Sequence, residues 1–185
     1  MRRGYSIGST RPQCQQKRVI VIAAEGMVTE PKYFLQLNSM SQTTVIAMVP
    51  NWGNGSDPQS VLGRMKEYLR ENPLGSNDEA WIVLDRDDWP EDKITAITAW
   101  EKRDGRYHFA LSHRRFEDWL KLHIVGDQEA GRKFQRNISG KDKHIPDGFV
   151  TKARIFAAVE RAKQLRGGAQ AVGNVFELIE AFFRE

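Results

Sequence analysis

WIVLDRDD, residues 81–88, joins four apolar residues without a break to four charged ones. Trp81, Ile82, Val83 and Leu84 do not alternate with polar residues. Such a run reads as a strand covered on both faces, the environment of a parallel sheet with helices above and below. The same pattern occurs at residues 19–26, VIVIAAEG, where an unbroken apolar run ends in Glu25 and Gly26. In an open parallel sheet the carboxyl ends of the strands share one edge, so two buried strands that each stop at a carboxylate bring those acids toward one another.

A helix is expected from about Glu30, with Thr29 as its cap, Pro31 in the first turn and Tyr33, Phe34 and Leu37 on one face. A second strand follows at Thr44 to Val49. A loop, PNWGNGS, leads to a helix opened by Asp57-Pro58, with Val61, Leu62, Met65, Tyr68 and Leu69 on one side. Ala80 to Leu84 is the third strand, Ile94 to Lys102 a short helix, and Tyr107 to Leu111 the fourth strand. This order, β-α-β-α-β-α-β, implies an α/β fold with a mainly parallel four-stranded sheet flanked by helices. A further helix is expected from about Arg114 to Ile124, with Ser112 near its cap. Residues 126–149 are polar and without period, and read as a long loop. Two helices close the chain at about Lys152 to Leu165 and Val172 to Arg184, split by Gly167-Gly168. The expected organisation is a flexible basic arm over residues 1–17, a core over 18–125, and a polar loop with C-terminal helices packed on the core over 126–185.

A balance of 40% hydrophobic and 28% charged residues is that of a globular chain, and the longest strongly apolar stretch, Val19 to Ala24, is far too short to cross a bilayer. The basic N-terminus lacks the apolar segment of an export signal, so a cytoplasmic location is expected. The single cysteine, Cys14, excludes an intramolecular disulfide and a multi-cysteine zinc site. The net charge of +4 leans toward phosphate-bearing partners, with the excess gathered in the N-terminal segment and between Arg132 and Lys143.

If the backbone stays extended through Asp87, Asp85 and Asp87 face one way and Arg86 and Asp88 the other. Two same-facing carboxylates repel unless a cation lies between them, and hard oxygen ligands at this spacing suit Mg²⁺. The plainer alternative is a turn and helix cap formed by Asp88, Trp89, Pro90 and Glu91. Glu25 favours the metal, because glutamate between a buried strand and a glycine is neither a turn former nor a good cap. A third acidic feature lies in SHRRFEDWLKLH, residues 112–123. Phe116, Trp119, Leu120 and His123 form one helical stripe, most simply a core face, and Glu117 precedes Lys121 by one turn, the spacing of an ordinary ion pair.

A buried strand ending in Glu-Gly, a helix, and a later strand ending in Asp-x-Asp resemble the Toprim fold. The fuller set EGMVTEPKYF, LDRDD and SHRRFEDWLKLH is similar to the RloB family, small Toprim-like proteins associated with bacterial restriction and phage-defence loci. The likeness spans about Val19 to Ile124 and, more loosely, the C-terminal helices. It implies a metal-dependent nuclease acting on DNA or RNA, tRNA included, in anti-phage defence of the abortive-infection kind, with an ABC-type ATPase as partner. It also implies Mg²⁺, with Mn²⁺ as substitute, held by Glu25, Asp85 and Asp87. Glu117 matches the acid of the family's FE-x-W motif, and Lys143 or Lys141 a basic residue in the following segment. Those lysines, with Arg114 and Arg115 near a helix start, would neutralise the phosphate. The rival readings are a non-catalytic nucleic-acid-binding or sensor module that keeps the acidic site, and a primase-like enzyme that would consume nucleoside triphosphates.

Other signals carry less. NWGNGSDPQS fails the dinucleotide-binding glycine pattern and no phosphate-loop motif occurs. RDGRYH, residues 103–108, has an Arg-x4-His spacing but spans a turn into a strand. The histidines, His108, His113, His123 and His144, show no zinc-ligand spacing; one core histidine and otherwise exposed ones are expected. Trp52, after the second strand, either stacks on a base or covers its own loop.

Overall fold

The computed structural model describes residues 16–53, 55–86, 89–113, 115–138, 145–168 and 171–184. Up to residue 121 the chain alternates strand and helix: β1 (Arg18–Ala24), α1 (Thr29–Leu37), β2 (Thr44–Met48), α2 (Pro58–Glu71), β3 (Glu79–Asp85), α3 (Glu91–Glu101), β4 (Tyr107–Ser112) and α4 (Phe116–Lys121). A 3-10 turn at Leu122–Ile124 follows, then α5 (Gln128–Ile138), α6 (Lys152–Leu165) and α7 (Val175–Phe183). The strands pair in parallel in the order β2-β1-β3-β4. This is the expected α/β architecture, consistent with a Toprim-like fold.

The unbroken apolar strands divide their side chains between two cores. From β3, Trp81 and Val83 join Tyr33 and Phe34 of α1, Trp119 of α4 and Phe176 and Phe182 of α7. Ala80, Ile82 and Leu84 join Val61, Leu62 and Met65 of α2 and Ile97 and Trp100 of α3 on the opposite face. Because α1 lies on one face and α2 on the other, the chain leaves β1 toward β2 and later passes back to β3 on β1's other side. The crevice between the ends of β1 and β3 is therefore the topological switch point, where open α/β sheets bind ligands. Asp57 caps α2 as expected, its Oδ1 accepting from the Gln59 N–H at 3.1 Å.

Several local expectations are corrected. Thr29 is the first residue of α1 rather than its cap, and it is buried. Ser112 ends β4, pairing with Asp85, instead of capping the next helix, which begins only at Phe116. The stretch expected to be a loop from residue 126 contains α5. Its apolar residues recur at helical spacing, Ala130, Phe134 and Ile138, but they are few among polar ones; Phe134 is buried and its ring stacks on Phe149 at 5.1 Å. The last helix begins at Val175, and the residues before it take another role: Gly173 bridges Ser112 antiparallel, closing the outer edge of β4. The Asn174 carboxamide completes that clasp, accepting from the Leu111 N–H at 2.7 Å and donating to the Phe109 carbonyl at 3.0 Å. Covering an edge strand in this way removes a template for unwanted strand pairing. The flexible arm expected over residues 1–17 falls almost wholly outside the described residues. No helix among the described residues is long and apolar enough to cross a membrane.

The buried His123, 2% exposed, is the expected core histidine. Its Nδ1–H donates to the Trp119 carbonyl at 3.2 Å and its Nε2 accepts from the Tyr33 hydroxyl at 3.0 Å, which uses both nitrogens of the neutral ring. Burial, aided by Arg154 and Arg161 and opposed by the Trp119 carbonyl, holds its pKa down at about 4. Between pH about 6.5 and about 4 the unfolded chain binds a proton that the folded chain does not, so stability falls as pH falls through that window. At about 1.4 kcal/mol per pH unit, the wild type should lose about 2 kcal/mol more than His123→Phe between pH 7.5 and 5.0. Urea unfolding of both proteins checks this, and parallel pH profiles would refute it.

Candidate functional site

The site is assembled from chain ends that the sheet fixes. The Glu25 N–H donates to the Val83 carbonyl at 3.0 Å, carrying the β1–β3 pairing one residue past β1. The Glu25 carboxylate then turns across the end of β3 and accepts from the Asp85 N–H at 3.2 Å. Asp85 lies on the same face of β3 as Trp81 and Val83, the side of α1 and α4. Arg86 is exposed on the alternate face, and its N–H continues the ladder to the Ser112 carbonyl at 2.8 Å.

Glu30 enters from the first turn of α1. It is 8% exposed, and its carboxylate occupies the space that a Cβ on Gly26 would enter, so glycine leaves the room into which Glu30 folds back. Burial pushes the Glu30 pKa up; the Glu117 and Glu25 charges push the same way, against hydrogen bonds from its own N–H and that of Gly26. Glu117, on the first turn of α4, thus belongs with Glu25 and Glu30. The Lys121 ammonium is 2.7 Å from Asp118, an i,i+3 pair in place of the simple pairing expected with Glu117.

Glu25, Glu30, Asp85, Glu117, Ser56 and the exposed Arg115 are among the residues lining one cavity of about 490 Å³. A larger groove of about 790 Å³ lies at the other end of the strands. There Arg18 is tied to Glu79 at 3.3 Å and to the Ala181 carbonyl, and Arg106 to Asp104, so its charges serve structural pairs. The acidic cavity, at the switch point, is where unlike elements converge on one chemistry.

Of the residues expected in the site, the structure brings Glu25, Asp85, Glu117 and Arg115 to this cavity. Asp87, Arg114, Lys141 and Lys143 lie outside the described residues. Among the described residues, no group of three or more histidine, cysteine, aspartate or glutamate side chains is gathered as a metal site. The donor set that borders the cavity is nevertheless all carboxylate oxygen, with one member buried and crowded by like charge. Those are hard donors that suit Mg²⁺ or Mn²⁺ better than zinc, whose sites usually include histidine or cysteine.

Sequence reasoning missed Glu30, which reads equally well as a favourable acid at a helix start. It also missed two residues that hold the neighbouring loop. The Asn51 amide donates to the Glu25 carbonyl at 3.4 Å. The Arg64 guanidinium donates to the Ala24 carbonyl at 2.9 Å and to the Gly55 carbonyl at 2.6 Å. Nothing short of the fold connects these positions.

Residues 20–182 match a protein family described as RloB-like protein. No curated protein and no solved structure matches the chain.

Proposed function

The chain belongs to the RloB-like protein family, and we propose that it is an Mg²⁺-dependent nuclease that hydrolyses DNA or RNA phosphodiesters at the crevice between β1 and β3, in the service of anti-phage defence. The observation that carries this reading is the Glu30 carboxylate, its pKa raised first by burial and then by the Glu117 and Glu25 charges, at a cavity that Glu25, Asp85 and Glu117 also line. Like charges gathered in one cleft cost stability, and a fold keeps such an arrangement where a cation or a reacting group is to be bound.

Glu25, Asp85 and Asp87 would hold the ion, with Glu30 and Glu117 completing the negative wall. When bound, Mg²⁺ lowers the pKa of a coordinated water and offsets charge on the phosphate. The chain's own contribution is positioning. The Asp85 N–H fixes the rotamer of Glu25, and Gly26 lets Glu30 close against the backbone. Arg115 stands at the cavity wall as the cation for a phosphate oxygen, and Arg114, Lys141 and Lys143 are proposed to act with it. An ABC-type ATPase is the proposed partner.

The test is incubation of the purified protein with single- and double-stranded DNA and with RNA, tRNA included, in Mg²⁺ or Mn²⁺ and in EDTA. Metal-dependent cleavage supports the reading. Intact substrates throughout, with the partner ATPase and ATP present, would refute it and leave a binding or sensor module.

The crowded acid has a separate consequence for stability. A carboxyl whose pKa is raised in the fold destabilises the native state above the ordinary carboxylate range, and that penalty vanishes below it. Glu30→Gln in EDTA at pH 7.5 should therefore raise Tm by about 2–4 °C, equivalent to about 1 kcal/mol in a domain of this size. At pH 4 the gain should disappear. A lower Tm at pH 7.5 would show that Glu30 is there for structure.

A further inference from the structure

We infer that Trp52, with Met27 and Val28, forms a stacking platform beside the acidic cavity that receives an unpaired nucleobase, so that the substrate strand is single-stranded or locally opened where it enters the site. The inference rests on the nuclease reading and adds to it the state of the substrate.

Trp52 is 82% exposed, whereas Trp81, Trp100 and Trp119 are buried and Trp89 is half-buried. It does not cover its own loop, which leaves the other role considered for it. Described residues on both sides of it are hydrogen-bonded. The preceding residue, Asn51, bonds the Glu25 carbonyl, and its Oδ1 accepts from the Gly53 N–H at 3.1 Å. Gly53 and Gly55 turn the chain at φ 82° and 92°, backbone that favours glycine, and Arg64 bridges the Gly55 carbonyl to the end of β1. Ser56, four residues after Trp52, already lines the cavity.

Met27 and Val28 line that cavity and are 60% and 42% exposed. Large apolar groups are therefore concentrated at the rim of a site whose wall is acidic. A wall of carboxylates repels a phosphate backbone, so part of the affinity has to come from groups indifferent to that charge. A flat indole and a thioether serve this purpose, since every base has a π-face and stacking tolerates any sequence. In a duplex those faces are occupied by neighbouring bases, so the platform selects unpaired nucleotides.

The test measures binding apart from cleavage. Fluorescein-labelled 12-nucleotide oligo(dT) and oligo(U), and a duplex of equal length, are titrated by anisotropy in EDTA with full-length wild type, Trp52→Ala and Trp52→Phe. Loss of one base–aromatic stack should weaken single-strand binding roughly 5- to 100-fold in Trp52→Ala. Trp52→Phe should retain most of the affinity, the duplex should change less than about twofold, and Tm should stay that of wild type because the side chain is exposed. Acrylamide quenching, which reports chiefly on Trp52, should fall when oligonucleotide is added. Unchanged single-strand affinity in Trp52→Ala, or an equal loss for duplex and single strand, overturns the inference while leaving the nuclease reading intact. So does a change of Trp52→Ala from dimer to monomer in sedimentation, which would make the rim a contact between copies. Failure of wild type to bind any strand in EDTA also overturns the inference, whereas the nuclease reading is decided by the cleavage test with metal.

Discussion

Asp85→Asn is expected to lower the proposed Mg²⁺-dependent cleavage by about 10²–10³-fold, the loss typical when one preorganised group is removed from a charged site, with Tm within about 2 °C of wild type. The two halves of this expectation have different origins. Asp85 ends a strand whose register is held by the parallel pairing of β3 with β1 and β4, and the contact it makes with Glu25 uses its backbone N–H. Exchange of a carboxylate oxygen for an amide leaves that hydrogen bond and the strand in place while halving the charge that Asp85 and Glu25 present together. The measurement is a cleavage time course over a range of Mg²⁺ concentrations, beside a thermal melt in EDTA. A variant that cuts at the wild-type rate removes Asp85 from the proposed metal set. A variant that fails to cut because it melts early shows only that the strand end has been disturbed.

Gly173→Ala is expected to lower the stability of the whole protein by about 3 kcal/mol or more, a Tm loss of roughly 10 °C in a domain of this size. Two independent effects act at this position. Its φ of 92° lies in the left-handed region, and a Cβ there would meet the Leu111 carbonyl oxygen at 1.8 Å and the His113 nitrogen at 3.0 Å. Both obstacles are backbone atoms of the edge strand and its exit, so no side chain can swing aside. Relief requires the clasp to open, with loss of the Asn174 hydrogen bonds to Leu111 and Phe109. A thermal melt and a urea titration measure the effect, and a Tm within 2 °C of wild type would mean that the edge is not held by this contact.

The strands were legible because burial on both faces demands unbroken apolar runs, and Val19 to Ala24 and Trp81 to Leu84 have no other use. That reading also located Glu25 and Asp85, since a strand with a fixed end fixes the residue after it. Glu30 was not legible as a site residue. An acid in a first helical turn has a sufficient local explanation, and only the fold-back over Gly26 reveals the other. Glu117 was legible only through the family resemblance, since its spacing to Lys121 pointed to an ion pair; the structure places it on the cavity wall beside Glu25 and Glu30. Helix α5 escaped because its apolar residues, Ala130, Phe134 and Ile138, form a stripe one residue wide amid glycine and charged residues that read as a loop. The clasp at Gly173 and Asn174 escaped because it answers a need of β4, far away in the chain, and nothing near it in sequence records that need.

That distance sets an order of events during synthesis. Asn174 follows Leu111 by 63 residues, which at roughly 5–20 residues per second leaves β4 without its cover for roughly 3–13 s after the ribosome has made it. Through that interval a nascent chain carries a paired sheet with one raw margin, and neighbouring chains on the same message meet it in that state. Gly173 and Asn174 therefore act as a seal applied late, and a chain truncated ahead of them would keep a margin able to recruit its siblings.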